Sequence, residues 1–386
     1  MSDRNLLRDR EGHDSSRVSY AELFFDLVFV LAVTQLSHTL LHHFTPEGAL
    51  HTLVLMLAVW WVWIYTSWVT NWLDPEQLPV RLALLTLMLL GLVLSASIPQ
   101  AFEARGLSFA LAFVGMQVGR SLFFLWAVRG HEKLVPNFQR MLVWLTASGV
   151  FWIAGAFVEH HERLALWVVA LAIEYVGPSA YFWVPVLGRS TTGDWDIAGG
   201  HLAERCALFV IIALGESILV IGATFAKMDW TPVAAASFAV SFVGSLAMWW
   251  LYFDAVADRG SRAIDRSRDP GRLARLAYTY IHLLPVAGII VTAVADEFVL
   301  EHPTGHVEPG VAAVILGGPA AYVFGLFLFR WAIFKHAPRG GMVALVALAL
   351  LVPLADIVTP LVLSSLATTV LLVLAAWDAK RAAAQS

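Results

Sequence analysis

The sequence predicts an all-α fold, a polytopic transmembrane helical bundle, from its composition and the length of its apolar runs. Of its 386 residues, 59% are hydrophobic and only 14% are charged, whereas soluble domains carry about 25% charged residues. The charges are clustered, and the runs between them approach the roughly 20 apolar residues with which an α-helix crosses a bilayer. Because a backbone in lipid must satisfy its own hydrogen bonds, we expect these runs to form helices.

Twelve spans are predicted from the apolar runs, six in each half of the chain. The first six are expected at 20–40, 51–70, 80–99, 107–128, 139–158 and 164–187. The last six are expected at 203–225, 232–254, 274–296, 310–334, 342–356 and 359–378. The eleventh is short and meets Pro353, Asp356 and Pro360, so it could be broken or re-entrant.

The basic residues predict that both termini lie in the cytoplasm, because cytoplasmic loops of membrane proteins are rich in Lys and Arg. In this orientation 20 of the 25 Lys and Arg residues fall on the cytoplasmic side and three on the opposite side. The remaining two, Arg120 and Arg205, fall inside spans. Residues 1–19 are polar and contain no apolar signal-peptide core, so we expect the first span to be retained.

The two halves of the chain resemble each other weakly, with matches that occur in the same order and offsets that grow only in loops. The matched pairs are Tyr20-Ala21-Glu22 with Leu202-Ala203-Glu204, Thr34-Gln35 with Glu216-Ser217, Trp60-Trp61 with Trp249-Trp250, Arg81-Leu82-Ala83 with Arg275-Leu276-Ala277, and Trp126 and His131 with Trp331 and His336. Six spans per half would give the halves the same orientation, as in transporters built from parallel pseudo-repeats. The predicted division is a cytoplasmic tail (1–19), two six-helix repeats (20–190 and 191–380) and a cytoplasmic tail (381–386).

Two segments carry a resemblance to a known family. The first is YAELFFDLVFV at residues 20–30, which continues to Thr34-Gln35-Leu36. The second runs from His201-Leu202-Ala203-Glu204-Arg205 to Leu214-Gly215-Glu216-Ser217-Ile218. Both are similar to signatures of the bacterial low temperature requirement A family, and the resemblance covers nearly the whole chain. It implies a multi-pass protein of the bacterial cytoplasmic (inner) membrane and leaves the biochemical activity open.

Ionisable residues inside spans are the candidate site residues, because each costs about 2.5–3.5 kcal/mol to place in the bilayer. In the first span Glu22 and Asp26 are one turn apart and share a helix face. Two carboxylates on one buried face could share a proton, which suggests a proton or cation relay. A structural alternative is that Glu22 lies at the water interface and pairs with Arg17 or Arg205.

The seventh span holds a second polar cluster, which includes Glu204, Arg205 and Glu216. Arg205 and Glu216 are eleven residues apart, so they lie on one helix face about three turns from each other. Glu216 is near the middle of the span, and Gly215 before it would allow another helix or a substrate to approach closely. The structural alternative is an ion pair that joins helices.

Three further residues are polar groups inside otherwise apolar spans. Glu174 lies in the sixth span before Pro178, which should loosen the helix and expose backbone carbonyls near the carboxylate. His282 in the ninth span could change its charge near physiological pH, or could be a satisfied core histidine. Arg120 in the fourth span is close enough to the cytoplasm for its side chain to reach the interface.

No metal site, cofactor or catalytic group is predicted. The chain has no P-loop, HExxH, CxxC, GxSxG or dinucleotide fingerprint, and Cys206 is its single cysteine. His302 and His306 have helical spacing, but a proline and a glycine lie between them. The arginine-rich loop 259–275 is interpreted as a topology determinant with incidental contact to anionic lipids, so nucleic-acid binding is not expected.

These observations favour a secondary transporter that is coupled to protons or ions, with membrane lipids and a small solute or ion as its partners. Its site is expected between the two halves, lined by Asp26, Glu174, Arg205 and Glu216. A homo-oligomer stays open as a further partner. The sequence favours a non-enzymatic role without deciding the matter.

Two alternatives from other classes stay open. Phe25-Asp26 and the six-plus-six layout are similar to lysosomal-type potassium channels with a Phe-Ser-Asp motif, although Phe25 replaces the serine and Leu208 the second aspartate. A cation channel is therefore one alternative. The other is a membrane-embedded enzyme, with Glu22, His201 and Glu204 converging near the cytoplasmic surface, or a lipid-interacting stress protein.

Overall fold

The computed structural model is almost entirely helical, and it describes residues 6–8, 17–131, 133–191, 194–195, 197–335 and 337–383. Its α-helices are α1 (Tyr20–His42), α2 (Pro46–Trp72), α3 (Leu78–Ser97), α4 (Gly106–Ala127), α5 (Val135–Ala156), α6 (His160–Ser179), α7 (Gly199–Ala226), α8 (Pro232–Tyr252), α9 (Asp258–Asp265), α10 (Pro270–Leu273), α11 (Leu283–Glu301), α12 (Pro309–Phe334), α13 (Arg339–Leu350) and α14 (Pro360–Ala383). A π-helical turn follows α8 at Phe253–Ala257, and a second one lies between α10 and α11 at Ala274–Ile281. Short 3₁₀ turns follow α3 at Ile98–Gln100 and α13 at Val352–Asp356.

Ten helical segments in the described part of the chain are long and apolar enough to cross a membrane. The protein is therefore an integral membrane protein with multiple transmembrane helices. Ten of the twelve predicted spans coincide with these segments, whereas α5 and α6 do not reach the same apolarity. Both begin with polar turns, which contain Asn137, Gln139 and Arg140 in α5 and His160 to Arg163 in α6.

The sixth and the eleventh predicted spans differ from the helices near their prolines. The sixth was expected to reach residue 187, but α6 ends at Ser179, one residue after Pro178. The chain then turns through Tyr181 and Phe182, which both have positive φ angles, so the helix cannot continue. The eleventh span is broken, as its prolines suggested, because α13 ends at Leu350 and a 3₁₀ turn completes the 18-residue segment Arg339–Asp356.

The described residues divide into two compact units. The first contains the residues up to Thr39 together with Pro46–Leu202 and Arg268–Arg275. The second contains Leu40–Thr45, Ala203–Ser267 and the residues from Leu276 onward. Each unit has its own helix packing.

In the first unit α3, α4, α5 and α6 pack in sequence order, and α2 contacts both α4 and α6. Trp60, Trp61 and Trp63 of α2 are buried in this core. Arg163, at the start of α6, donates hydrogen bonds to the carbonyl oxygens of Ala101, Glu103, Gly155 and Val158 at 2.7–3.2 Å. This buried guanidinium therefore ties the turn after α3 to the end of α5, where free carbonyls need donors.

In the second unit α11, α12, α13 and α14 also contact one another in order, and α8 packs against α14. The matched tryptophans of the two halves are not placed alike, because Trp249 and Trp250 are 41% and 47% exposed whereas Trp60 and Trp61 are buried.

The tightest helix crossing is between α11 and α12 at Gly288 and Gly318. A Cβ atom on Gly318 would lie 2.8 Å from the backbone nitrogen of Thr292, so only glycine fits.

This crossing generates a stability prediction with a matched neighbour. Gly318→Ala should lower the stability of the protein by about 1–3 kcal/mol, because the added methyl group overpacks α11 against α12. Gly317→Ala is the control, since a Cβ atom there meets nothing within 4 Å. The midpoint of thermal unfolding in detergent should fall for Gly318→Ala and stay level or rise for Gly317→Ala. Equal midpoints would contradict the close crossing.

Candidate functional site

Glu22 is held by a capping box at the start of α1. The Ser19 hydroxyl accepts a hydrogen bond from the Glu22 backbone N–H at 3.3 Å, and the Glu22 carboxylate accepts one from the Ser19 backbone N–H at 2.9 Å. This reciprocal pair is the arrangement that a Ser-x-x-Glu sequence favours at a helix N-terminus. Part of the role of Glu22 is therefore to begin the helix.

The same carboxylate also joins distant parts of the first unit. Arg8 Nη2 lies 3.0 Å from Glu22 Oε2, and His201 Nε2 lies 2.9 Å from Glu22 Oε1. Asn71 fixes the histidine tautomer, because its side chain exchanges hydrogen bonds with the Ala198 backbone and places Nδ2 3.2 Å from His201 Nδ1. With Nδ1 accepting from an amide, Nε2 carries the proton that is donated to Glu22.

Asp26, one turn after Glu22, is buried and accepts a 2.8 Å hydrogen bond from Trp63 Nε1 of α2. The two carboxylates share a helix face as predicted, but these contacts lead to different neighbours: Glu22 to Arg8 and His201, and Asp26 to α2. Trp63 is a site contact that the sequence analysis missed, because an indole N–H in an apolar span looks like ordinary packing.

Glu174 is the centre of a larger buried network in the first unit. Its Oε1 accepts hydrogen bonds from the Ser148 hydroxyl at 2.6 Å and from Trp152 Nε1 at 3.3 Å, both on α5. Its Oε2 accepts a 2.5 Å hydrogen bond from Gln117 Nε2 on α4. All four residues are buried, so Glu174 is surrounded by hydroxyl, indole and amide donors.

Gln117 connects this carboxylate to Arg120. Its side-chain oxygen accepts a hydrogen bond from Arg120 Nη2, one turn along α4. Arg120 Nη1 donates to the Thr66 hydroxyl at 3.1 Å and to the Val62 carbonyl at 3.2 Å, both on α2. The expectation that Arg120 reaches the membrane interface is wrong: its side chain is 2% exposed and donates hydrogen bonds to groups of α2 and α4 inside the unit.

The predicted residues of α7 have contrasting environments. Arg205 and Glu216 are buried, whereas Glu204 is exposed. Glu204 is the counterpart of Glu22 in the sequence match, yet only Glu22 is buried. The matched motifs thus differ in their surroundings.

The second unit contains a buried acid that the sequence analysis did not weigh. Asp296 of α11 has its Oδ2 3.4 Å from the Ser217 hydroxyl, which lies 2.9 Å from the Ser245 hydroxyl on α8. Asp296 was taken as the last residue of the ninth span, but α11 continues to Glu301 and places it inside the helix. The sequence prediction overlooked Asp296 because the predicted span ended at this residue, whereas α11 continues for five more residues.

His282 fits the interpretation of a satisfied core histidine. Its Nδ1 lies 3.2 Å from the Ala277 carbonyl, which can only accept, so this nitrogen carries the proton. Its Nε2 is 2.7 Å from the Tyr252 hydroxyl, and the ring stacks on Tyr278. Both ring nitrogens therefore have partners within the second unit.

Comparisons with known proteins identify the family. The model of the family described as Bacterial low temperature requirement A protein (LtrA) matches residues 17–376. An uncharacterized protein of Rhizobium meliloti (strain 1021) is 42% identical over 374 residues, which cover 96% of this chain and 90% of that protein. No solved structure matches the chain significantly. The chain belongs to the bacterial low temperature requirement A family, as its two signature segments predicted.

The bridging role of Gln117 can be tested by substitution. Gln117→Leu keeps a similar volume but leaves the buried Glu174 and Arg120 each without one partner, which should cost about 1–3 kcal/mol. The midpoint of thermal unfolding in detergent should fall accordingly. Met116→Leu, at the neighbouring buried position, is the control and should cost less, because Met and Leu have similar volumes. The bridge would be refuted by a Gln117→Leu protein as stable as the control.

Proposed function

We propose that this member of the bacterial low temperature requirement A family is a secondary transporter, which couples movement of a small solute to protons. The observation that carries the proposal is the surroundings of Glu174. This carboxyl is 2% exposed, and its hydrogen bonds come from the neutral donors Gln117, Ser148 and Trp152. Ionisable residues inside membrane bundles mark ion pathways and proton relays.

The neutral donors suit a group that changes protonation state during a transport cycle. Glu174 can gain or lose a proton without separating an ion pair at contact distance, because Arg120 reaches it through Gln117. The amide of Gln117 donates to the acid and accepts from the guanidinium. Protonation of Glu174 would therefore change the hydrogen bonds by which Arg120 contacts α2.

Asp296 would supply a comparable group in the second unit, since its carboxylate lies among serine hydroxyls on α7 and α8. Asp26, Arg205 and Glu216 stay candidates for binding the solute or ion, because all three are buried within apolar helices. Three other candidates have less support. Glu22 has capping and pairing roles, Glu204 is exposed, and both ring nitrogens of His282 are satisfied.

We further propose twelve spans in two six-helix repeats, at 20–190 and 191–380, in the bacterial inner membrane with both termini in the cytoplasm. The sequential packing of α3 to α6 within one unit and of α11 to α14 within the other supports the repeats. The distribution of Lys and Arg supports the orientation.

Neither a cation channel nor an enzyme gains specific support. A polar path suited to a cation channel is interrupted in α1 by the apolar stretch from Val28 to Val33. An enzyme would need a reactive group that is available to a substrate. Glu22 and His201 do meet, but they are engaged with Arg8, Ser19 and Asn71, and Glu204 is exposed.

Flux in proteoliposomes is the test of transport. With pH- and potential-sensitive dyes and a panel of cations and small anions, the wild-type protein should give a saturable signal. Glu174→Gln and Asp296→Asn should reduce the proton-coupled signal to that of empty liposomes, because amides cannot exchange the proton. The earlier candidates are tested in the same assay with Asp26→Asn and Glu216→Gln.

Glu162→Gln is the matched control, since Glu162 lies on the same helix as Glu174 but is exposed. It should transport like the wild type. Normal flux through a folded Glu174→Gln protein would remove the proposed proton-binding role. A folded wild-type protein that is silent across the panel would contradict transport itself.

The orientation can be tested with single cysteines, because Cys206 is buried and can be replaced by serine. In right-side-out vesicles a membrane-impermeant maleimide should label Lys227→Cys but not Arg266→Cys, both at exposed positions. Permeabilised vesicles should label at both positions. Labelling of Arg266→Cys in sealed vesicles would contradict cytoplasmic termini.

A further inference from the structure

We propose that a groove between α3 and α4 binds a fatty-acid carboxylate that enters from the bilayer, a proposal that does not depend on transport activity. The groove lies within the first unit, with α2 at its back, and has a volume of about 260 Å³. Arg120 is the one charged residue among those that line it. Its apolar lining includes Val69, Leu73, Val80, Leu84, Leu87 and Leu90.

Two glycines of α4 create this space. A Cβ atom on Gly119 would meet nothing within 4 Å, and one on Gly115 would meet only Leu90. Gly115 and Gly119 are one turn apart, so both open the same helix face toward α3. Larger residues here would close the groove.

The groove opens sideways, onto an apolar surface of the protein. Thr86 on α3 and Gly119 on α4 line it and are exposed. Leu82, Leu85 and Leu89 on α3 are also exposed, and side chains of this kind on a transmembrane helix face lipid. A ligand would therefore enter from the hydrocarbon phase.

Arg120 has a hydrogen-bonding capacity that the protein does not use fully. Its Nη1 and Nη2 atoms donate to Val62, Thr66 and Gln117. Its buried Nε has no acceptor in the described part of the chain. A guanidinium has five N–H donors, and a buried donor without a partner is costly, so an acceptor supplied by a ligand would be favourable.

The apolar lining of the groove and the guanidinium of Arg120 together define the ligand. An apolar groove takes an alkyl chain, and a guanidinium prefers a carboxylate, which can accept two hydrogen bonds from it. A volume of about 260 Å³ is small beside the roughly 300–1,000 Å³ of ordinary ligand pockets, which favours a single acyl chain over a two-chain lipid. A membrane-borne fatty acid has these properties.

The experiment measures equilibrium binding of radiolabelled laurate to the purified full-length protein in nanodiscs of zwitterionic lipid, with empty nanodiscs subtracted. We expect saturable binding, with laurate at least about tenfold tighter than dodecanol because of the charge-assisted hydrogen bonds. Dodecyltrimethylammonium, which has the same chain and the opposite charge, should not compete. Acetate, which has the carboxylate but not the long alkyl chain and would come from the aqueous phase, should not compete either.

Two variants and a matched control locate the site. Gly119→Leu should abolish saturable binding by filling the groove, whereas Gly222→Leu, at an exposed α7 glycine that also has open space around it, should bind like the wild type. Arg120→Gln should remove the preference for laurate over dodecanol. The proposal would be overturned by wild-type binding to Gly119→Leu, by equal competition from acetate, or by the absence of saturable laurate binding.

Discussion

A charged side chain in hydrocarbon is costly unless polar groups of the protein surround it, and the arrangement of the first unit follows from this constraint. Arg120 of α4 and Glu174 of α6 are both buried, and Gln117 joins them by using the two ends of one amide. Ser148 and Thr66 extend the network to α5 and α2. Four helices are therefore held in register by polar contacts inside an otherwise apolar core.

At two helix ends, a buried charged side chain has a structural role. Glu22 completes a capping box with Ser19 at the start of α1, and Arg163 donates to four backbone carbonyls beside α5. In both cases a buried charge satisfies backbone groups that a helix end leaves free. Glu174 differs, because it lies inside α6 and accepts hydrogen bonds from the side chains of Gln117, Ser148 and Trp152. These neutral donors are the reason that we propose a functional role for it.

Apolar length and charge placement predicted the helical membrane fold, and the two signature segments predicted the family. Helix ends were harder to predict: α6 ends at Ser179, eight residues before the expected limit, while α11 runs past Asp296. The polar partners could not be read from apolar runs, because Ser148 and Trp152 come from a neighbouring helix. The spacing of Gln117 and Arg120, one helical turn apart, was a local signal that could have been used.

The segments that match between the two halves of the sequence differ in the burial of their polar and aromatic side chains. Glu22 is buried while its counterpart Glu204 is exposed, and Trp60 and Trp61 are buried while Trp249 and Trp250 are not. A sequence match of this kind does not predict burial, because each buried charge needs its own set of partners. The buried acids Glu174 and Asp296 have different donors. Glu174 accepts hydrogen bonds from an amide, an indole and a hydroxyl, and Asp296 accepts one from the Ser217 hydroxyl.

In the proposed transport cycle, Glu174 binds and releases a proton while it is buried. Infrared difference spectroscopy of the protein in lipid, recorded between two pH values, tests it directly through the carboxyl stretching band. We predict a band that titrates in the wild type and is lost in Glu174→Gln but kept in Glu162→Gln. A difference spectrum that is unchanged by Glu174→Gln would contradict proton binding by Glu174.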